Sequence, residues 1–416
     1  MPEDERVIVV GGGAAGMIAA GTAASRGLDV LLIEKNKVLG RKLLLTGKGR
    51  CNITNSVEGI NDFVANTPVN GKFLYSAFHA FSNHDLVKFF NKLGLKTKVE
   101  RGGRVFPVSD KAADVVAALE KFLKQNKVQK IKGEVEKITV QEAIGGNVFL
   151  KDGRVFPGRD IIVATGGLSY PRTGSTGDGY RFARENGHTV TPLRPALIPL
   201  ETEDRWPAEL QGLALKNVAI FLYDGSNKLL YSDFGEMLFT HFGVSGPIIL
   251  AASSYLNDIK VSSCSLAIDL KPALSEKQLD ERIQRDFKKN ANKYFANSLS
   301  DLLPSKLIPV IVKLSRISAE KPVNQVSRVE RKGLVNLLKT LTLKIKGFRP
   351  IEEAIITSGG VAVAEINPKT MESKITKGLF FAGEVIDVNA YTGGFNLQIA
   401  FSTGHLAGMN CRARKV

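Results

Sequence analysis

A glycine-rich turn close to the start of the chain constrains the fold more than any other feature of the sequence. The motif G-x-G-x-x-G spans Gly11–Gly16, directly after the short apolar run Val7–Val10. A segment of small residues, Met17–Ala24, follows, and a second apolar run, Leu28–Ile33, ends at the acidic residue Glu34. A buried strand, a helix and a second strand within about 30 residues form one βαβ unit, which predicts a dinucleotide-binding domain of the α/β class.

The residues of this unit share the work of binding a dinucleotide. Gly11 permits the tight turn, Gly13 lets the backbone approach a pyrophosphate, and Gly16 lets the helix pack closely on the strand. The helix N-terminus presents free N–H groups and the positive end of its dipole to phosphate. A carboxylate at Glu34 accepts hydrogen bonds from a ribose diol and repels a 2′-phosphate, which argues against NADP at this position. The predicted contacts are Gly11, Gly13, Ala14, Ala15, Gly16, Glu34 and Lys35.

A segment dense in glycine and basic residues, Gly40–Asn55, is predicted to be a long loop that wraps the phosphates and the rest of the cofactor. It is not a P-loop, because Gly40 and Gly47 are too far apart and Gly49 replaces the Ser or Thr that follows the lysine. Cys51 is a candidate redox thiol, but no second cysteine is near it, and we favour a buried or spectator thiol. The predicted contacts are Arg41, Lys42, Thr46, Gly47, Gly49, Arg50, Cys51 and Asn52.

Glycine turns recur later in the chain at the ends of apolar strands. One follows the buried run Asp160–Ala164, and another lies within Phe381–Asp387. Turns of this kind let the backbone approach a ligand. The segment Tyr391–Gln398 begins a C-terminal helix, Leu397–Asn410, whose N-terminus is suited to stabilise negative charge on a reduced cofactor ring. The predicted contacts are Thr165, Gly166, Gly383, Glu384, Asp387, Gly394, Phe395, Asn396 and Gln398.

Candidate catalytic side chains are few. The five histidines form no ligand pair such as HExxH, so no metal site is expected. His241 is the best candidate for a proton-handling residue, although a structural histidine at a strand end is the interpretation that we favour. The catalytic prediction is therefore Cys51 and His241. With Cys264 and Cys411, Cys51 forms no CxxC pair, which argues against a disulfide framework or a zinc cluster and fits a reducing cytoplasm.

The chain divides into segments of different character. A cluster of prolines begins at Pro192, and short alternating strands such as Ala219–Tyr223 follow it. From Glu276, long charged segments with apolar residues at helical spacing predict a small helical bundle. Strands and glycine turns return at Arg349. We expect a discontinuous dinucleotide-binding domain at 1–194 and 349–416, a β-rich insert at 195–275 and 340–348, and a helical subdomain at 276–339.

The chain is basic, with 57 Lys and Arg against 41 Asp and Glu and a net charge of +16. The segment Lys271–Arg349 carries 18 basic and 7 acidic residues. Such a surface suits an anionic partner such as nucleic acid. Its aromatic residues are few, so a base-stacking platform is not evident, and we favour a solvated lysine-rich face. The uncharged stretch Val7–Ser25 is broken by glycines, so no membrane segment is expected.

These motifs together resemble a family of bacterial flavoproteins, the aminoacetone-oxidase-like or BaiN/YhiN-like FAD-dependent oxidoreductases. The resemblance runs nearly end to end, and its further motifs are Phe239–Pro247 and Thr357–Val361 through Asn367–Ser373. It implies a Rossmann-like, glutathione-reductase-type FAD domain with an inserted β-barrel domain that carries a helical subdomain. It also implies flavin contacts along Arg41–Asn52, an adenine contact near Val135, and contacts at Thr165–Gly166 and Gly383–Gln398. Substrates differ among members, so the resemblance transfers the cofactor better than the reaction.

Three functions follow from these observations. The favoured one is a cytoplasmic FAD-dependent oxidoreductase that passes hydride through flavin N5 between a small organic substrate, or NAD(P)H as a transient reductant, and a second acceptor. The second is a flavin-dependent RNA-modifying enzyme that uses the basic insert. The third is a non-catalytic flavoprotein that acts as a redox sensor. The sequence does not name the substrate, the electron acceptor or the oligomeric state.

Overall fold

The computed structural model describes residues 5–141, 145–256 and 259–412. Residues 1–4 and 413–416, which belong to the predicted dinucleotide-binding domain, lie outside the described residues, as do 142–144 and 257–258. The chain divides into two compact units, Met1–Pro195 with Ile351–Val416, and Ala196–Pro350. Below, the first is called the sheet unit and the second the barrel unit.

Strands and helices alternate through most of the sheet unit, whereas strands dominate the first part of the barrel unit. In chain order to residue 195 they are β1 (Val7–Val10), α1 (Ala14–Ser25), β2 (Val30–Glu34), α2 (Arg41–Gly49), β3 (Thr54–Asn55), α3 (Ile60–Ala65), α4 (Tyr75–Ala80), α5 (Asn83–Lys92), β4 (Thr97–Glu100), β5 (Arg104–Pro107), α6 (Ala112–Gln125), β6 (Gln129–Lys132), β7 (Val135–Gln141), β8 (Gly145–Leu150), β9 (Val155–Gly158), β10 (Asp160–Val163), α7 (Asp178–Glu185) and β11 (Arg194–Ala196). The remainder are β12 (Leu200–Thr202), α8 (Trp206–Glu209), β13 (Ala214–Tyr223), β14 (Leu229–Thr240), β15 (Gly243–Ser245), α9 (Pro247–Ser253), β16 (Ser265–Asp269), α10 (Glu276–Lys289), α11 (Ile308–Ser315), α12 (Arg328–Lys339), β17 (Leu341–Phe348), β18 (Ile356–Ser358), β19 (Leu379–Phe381) and α13 (Phe395–Asn410).

A five-stranded parallel sheet forms the centre of the sheet unit, in the order β19-β10-β1-β2-β6. Strands β1, β10 and β19 are buried along their whole length, because helices cover parallel sheets and continuous apolar runs supply both faces. The predicted βαβ unit is confirmed, and so is the Rossmann-type architecture.

Helices α1 and α13 pack together through backbone. A Cβ atom on Gly404 would lie 2.4 Å from the carbonyl oxygen of Ala15, and one on Gly408 would lie 2.5 Å from that of Ala19. The small residues of α1 therefore serve two purposes, since they admit the turn at its start and the close approach of α13 along its length. Helix α13 is largely buried, which explains why its sequence lacks a polar face.

Two predicted elements need correction. The segment Gly40–Asn55, predicted to be a loop, begins with a helix: Arg41–Leu45 is helical, and the regular conformation ends at Thr46, whose ψ is 147°. Three consecutive leucines within a run of good helix formers favour this turn of helix, and Leu43 buries its side chain. The sequence of Phe78–Leu93 predicts one helix. The structure has two helices here, α4 and α5, because Ser82 leaves the helical conformation to cap α5 by accepting a hydrogen bond from the Asp85 amide.

The barrel unit contains a closed barrel in the strand order β12-β15-β14-β13-β16-β17, with antiparallel neighbours. Alternate residues such as Ile220, Leu222, Leu266 and Leu343 point inward and are fully buried. Helices α10, α11 and α12 fall between β16 and β17 in the chain. Among the described residues, no helix combines the length and apolar character needed to cross a membrane.

The α1–α13 contact yields a stability prediction. We expect Gly408→Ala to destabilise the sheet unit by about 1–3 kcal/mol, because the added methyl group meets the Ala19 carbonyl and forces backbone to move. Gly333→Ala in α12 is the matched control. Its Cβ meets no atom within 4 Å, so we expect the free energy of unfolding to rise by about 0.5–1 kcal/mol. Thermal and denaturant unfolding of both variants would measure these changes, and a Gly408→Ala protein as stable as the parent would contradict the prediction.

Candidate cofactor site

The predicted cofactor contacts meet at the carboxyl edge of the parallel sheet. Strand β1 leads into Gly11–Gly16, β2 ends at Glu34, β10 leads to Thr165–Gly166, and β19 leads to Gly383–Glu384. Val135 is a buried residue just beyond the end of β6. Carboxyl ends of parallel strands lie at one edge, which is where doubly wound sheets bind nucleotides. Segments that are hundreds of residues apart in the chain therefore line one site.

The glycine-rich turn has the geometry of a phosphate cradle. Gly11 has a φ of 106°, and a Cβ there would lie 2.5 Å from the Ala164 carbonyl oxygen. A Cβ on Gly16 would lie 1.8 Å from the Gly11 carbonyl oxygen, so both positions require glycine. At Gly13, by contrast, a Cβ would meet no atom within 4 Å. No side chain caps the start of α1, which leaves its first N–H groups available to an anion.

Glu34 is held in place by the protein. Its Oε2 accepts a hydrogen bond from the Gly12 amide at 2.7 Å, and its Oε1 accepts from the Asn36 amide and side chain at 2.8 and 2.6 Å. A carboxylate offers about four lone-pair sites. One site therefore remains for the ribose diol that the sequence assigns to Glu34.

Basic side chains surround this end of the site. Lys35 donates to Thr176 at 2.6 Å and to Asp178 at 2.8 Å, and Arg41 donates to Asn36 at 2.8 Å. They border a cleft of about 480 Å³ that is lined by Lys35, Lys37, Arg41 and Lys132 with Val38 and Leu44. Such a lining favours an anionic group in or beside the cleft.

The turn after α2 is compact and conformationally restricted. Gly47, Lys48 and Gly49 have φ values of 56°, 58° and 82°. A Cβ on Gly47 would lie 3.0 Å from the Asn52 amide nitrogen, and Thr46 uses its hydroxyl to bond the Leu43 carbonyl at 2.7 Å. Gly47 and Gly49, which the sequence assigns to cofactor binding, are therefore also favoured at these positions by the backbone conformation of the turn.

Arg50 is committed to a surface cluster. Its guanidinium lies over the Phe106 ring at 4.1 Å and bonds Asp110 at 2.6 Å as well as Glu100. These hydrogen bonds, to Glu100 first and then to Asp110, raise the pKa of Arg50. The guanidinium therefore ties the turn to Phe106, Glu100 and Asp110, and these contacts occupy it within the protein.

Cys51 is fully buried and adopts a φ of 61°. Burial raises the pKa of its thiol to about 12. A thiol in this environment is protonated at neutral pH, whereas nucleophilic and redox cysteines act as thiolates. The geometry therefore favours the spectator thiol over the catalytic role.

His241 belongs to the barrel unit. It is exposed, follows β14 directly, and packs edge-on against the Phe242 ring with 4.9 Å between centroids. The sheet edge belongs to the other unit, and the catalytic role of His241 stays a prediction. In the described part of the chain, no group of three or more His, Cys, Asp or Glu side chains is placed to hold a metal ion.

Several C-terminal candidates have protein partners. Gln398 is fully buried, accepts from Thr54 at 2.6 Å and donates to the Phe81 carbonyl at 3.0 Å. Asn396 spans the turn before α13 by bonding the Ala390 amide and carbonyl at 2.9 and 2.7 Å. Both side chains are structural ties in this geometry. Gly394 has a φ of 102°, and a Cβ there would lie 2.3 Å from the Thr54 carbonyl oxygen. Phe395 packs against Phe63 with 5.2 Å between ring centroids.

Two carboxylates at the end of the β19 turn behave differently. Burial raises the pKa of Asp387 above its ordinary value. Glu384 instead has partners that sequence reasoning missed: Lys42 at 2.5 Å, Ser169 at 2.7 Å and the Thr357 amide at 2.9 Å. Thr357 begins a glycine turn of its own, Thr357–Gly360, and that was the available sequence signal for it.

The residues present fit FAD. Within the described residues, the buried oxygen atoms without a hydrogen-bond partner in the protein are Thr165 Oγ1, Asn52 Oδ1, Asn389 Oδ1 and, in the barrel unit, Thr240 Oγ1. Buried polar atoms normally find a partner. The first three lie in segments that the sequence assigns to the cofactor, and the open space at Gly13 lies beside the free N–H groups of α1. A polar ligand with a pyrophosphate matches this set of donors and acceptors.

Known proteins are similar to this chain over nearly its whole length. A sequence profile described as the HI0933-like protein Rossmann domain matches residues 5–410. The 3-dehydro-bile acid delta(4,6)-reductase of Clostridium scindens is 33% identical over 408 residues, which covers 97% of this chain and 98% of that protein. The ribosomal RNA dihydrouridine synthase of Escherichia coli is 31% identical over 412 residues, 98% of each chain.

Solved structures agree on the fold. The 3-ketosteroid delta1-dehydrogenase from Sterolibacterium denitrificans superimposes with a TM-score of 0.53 at 14% identity, covering 97% of this chain and 98% of that one. At that identity the likeness concerns the fold alone. With the end-to-end profile match and the full-length relatives, the chain belongs to the HI0933-like family and is an FAD-dependent oxidoreductase.

Proposed function

We propose that this protein reduces a carbon–carbon double bond conjugated to a carbonyl group in a small organic molecule. The observation that carries the proposal is the match over 97% and 98% of the chain to two proteins whose named reactions share this chemistry. A 3-dehydro delta(4,6) bile acid carries its double bonds beside a ketone. Conversion of uridine to dihydrouridine likewise saturates a ring double bond beside a carbonyl.

FAD, once bound and reduced by an electron donor, would supply hydride from its N5 atom to such a bond. We assign the chain's own contribution to binding and orientation. The first N–H groups of α1 would hold the pyrophosphate, Glu34 would accept a hydrogen bond from the adenosine ribose, and Thr165 offers a buried hydroxyl that has no hydrogen-bond partner in the protein. Reduced nicotinamide is the proposed electron donor. The sequence carries one G-x-G-x-x-G motif, at Gly11–Gly16, so this donor would reach the flavin through the substrate side.

An RNA substrate is the less supported alternative. It draws on the name of the Escherichia coli relative and on the basic segment Lys271–Arg349. Ion pairs neutralise part of that charge, which reduces the field available to a phosphate backbone. The pairs are Arg282–Asp286, Lys289–Asp301, Lys321–Glu330, Arg331–Asp280 and Lys339–Asp269.

A substrate test separates these functions. We expect NADH or NADPH to bleach the visible flavin absorbance of the purified protein under anaerobic conditions, and a 3-keto-4-ene steroid to restore it. The matched control is the same steroid with its ketone reduced to an alcohol, which removes the conjugation and should leave the flavin reduced. If ribosomal RNA restores the flavin absorbance and the steroid does not, the substrate is RNA and the proposed small-molecule substrate is wrong. A flavin that no nicotinamide reduces would favour a different electron donor or a redox sensor.

The glycine turn offers a test of where FAD binds. We expect Gly13→Ala to fold like the parent, because a Cβ there meets no atom, and to raise the Kd of FAD about tenfold, because the methyl group enters the space of the pyrophosphate. Gly16→Ala should instead lower the stability of the flavin-free protein, since its Cβ overlaps the Gly11 carbonyl. Flavin fluorescence titration and thermal unfolding measure the two effects. Unchanged FAD affinity in Gly13→Ala would contradict this placement.

A further inference from the structure

Lys42 links α2 to the two turns that follow β10 and β19. Its ammonium donates to the Glu384 carboxylate at 2.5 Å and to the Ser169 hydroxyl at 2.6 Å. The side chains of Lys42 and Glu384 are only 25% and 19% exposed, so this ion pair is partly withdrawn from solvent. Pairs of this kind are costly to break, because the remaining charge is left without a partner.

Glu384 uses both carboxylate oxygens within the protein. Oε2 accepts from Lys42, while Oε1 accepts from the Ser169 hydroxyl at 2.7 Å and from the Thr357 amide at 2.9 Å. The cluster is closely packed, since a Cβ on Gly167 would lie 2.5 Å from Thr357 Oγ1 and 2.9 Å from Glu384 Oε1. Its geometry is therefore fixed by several elements at once.

Glu384 directly follows a residue that packs against the start of α1. The preceding residue, Gly383, has a φ of 78° and donates its amide to Thr403 at 2.9 Å. A Cβ on Gly383 would lie 2.9 Å from the Cβ of Ala15, in the first turn of α1. A shift of Glu384 would therefore move backbone that packs on the anion-binding end of α1.

We propose that Lys42 is a positioning residue for FAD, which acts through Glu384 by neutralising and anchoring its carboxylate beside the site of the anionic pyrophosphate. The inference rests on FAD binding at this sheet edge and is independent of the substrate class proposed above. It differs from the sequence-based expectation, in which Lys42 and Glu384 each contact the cofactor directly.

A single variant and a double variant test the inference, because the second substitution should restore the FAD affinity that the first one lowers. Lys42→Met leaves the Glu384 carboxylate without a cation to neutralise it, and we expect the Kd of FAD to rise about tenfold. Glu384→Gln added to Lys42→Met removes that charge, and we expect the Kd to return to within about threefold of the parent value. FAD titration of the flavin-free proteins gives these values, and the visible spectrum of bound flavin reports whether its environment is restored. A tenfold loss that persists in the double variant would overturn the proposal, because Lys42 would then act on FAD directly.

The barrel unit supplies a matched control. Lys321 pairs with Glu330 at 2.7 Å with side-chain exposures of 27% and 30%, and the variants Lys321→Met and Lys321→Met/Glu330→Gln should leave FAD affinity unchanged. If Lys42→Met does not fold, the double variant still decides, since parent-like affinity supports the proposal and a tenfold loss overturns it. A parent protein that binds no FAD would refute the cofactor placement instead, so the two failures are distinguishable.

Discussion

Contact between backbone and backbone at the start of helix α1 is the constraint on which the rest of this structure depends. A Cβ on Gly16 would lie 1.8 Å from the Gly11 carbonyl oxygen, and a Cβ on Gly11 would lie 2.5 Å from the carbonyl oxygen of Ala164, which follows β10. Helix α13 then packs on the other side of α1 through Gly404 and Gly408. One short helix is therefore held between the sheet and a buried helix without side chains as spacers. This arrangement places its N–H groups, and nothing bulkier, at the edge where the strands end.

That edge collects charges of both signs, and the protein deals with them in different ways. Glu34 and Glu384 are each held by three protein donors, so their orientation is set before any ligand arrives. At Asp387, burial raises the pKa above its ordinary value, and hydrogen bonds from Thr191, Asn70 and the Gly359 backbone only partly oppose that shift. Fixed dipoles and fixed charges orient a cofactor without reorganisation on binding, which is how a protein tunes chemistry that belongs to the cofactor.

The match to relatives with very different named substrates covers 97% and 98% of this chain. The residues that we assign to the cofactor lie mainly at strand ends of the sheet unit. The reaction that we propose, saturation of a double bond beside a carbonyl, depends on the flavin and not on one substrate shape. Differences in substrate are therefore expected outside the sheet edge, where loops and inserted elements vary.

The sequence by itself determined the βαβ unit, the glycine turns at strand ends and the cofactor class, because each depends on local patterns: apolar runs, glycine where a Cβ has no room, and an acidic residue at the end of a strand. Only the tertiary structure decided the partners of individual side chains. Lys42 and Glu384 are 342 positions apart, and nothing in either local sequence pairs them. Burial of Cys51 and the internal hydrogen bonds of Gln398 likewise arise from packing between distant segments. A side chain's chemistry follows from its partners and its exposure, and both are properties of the folded chain.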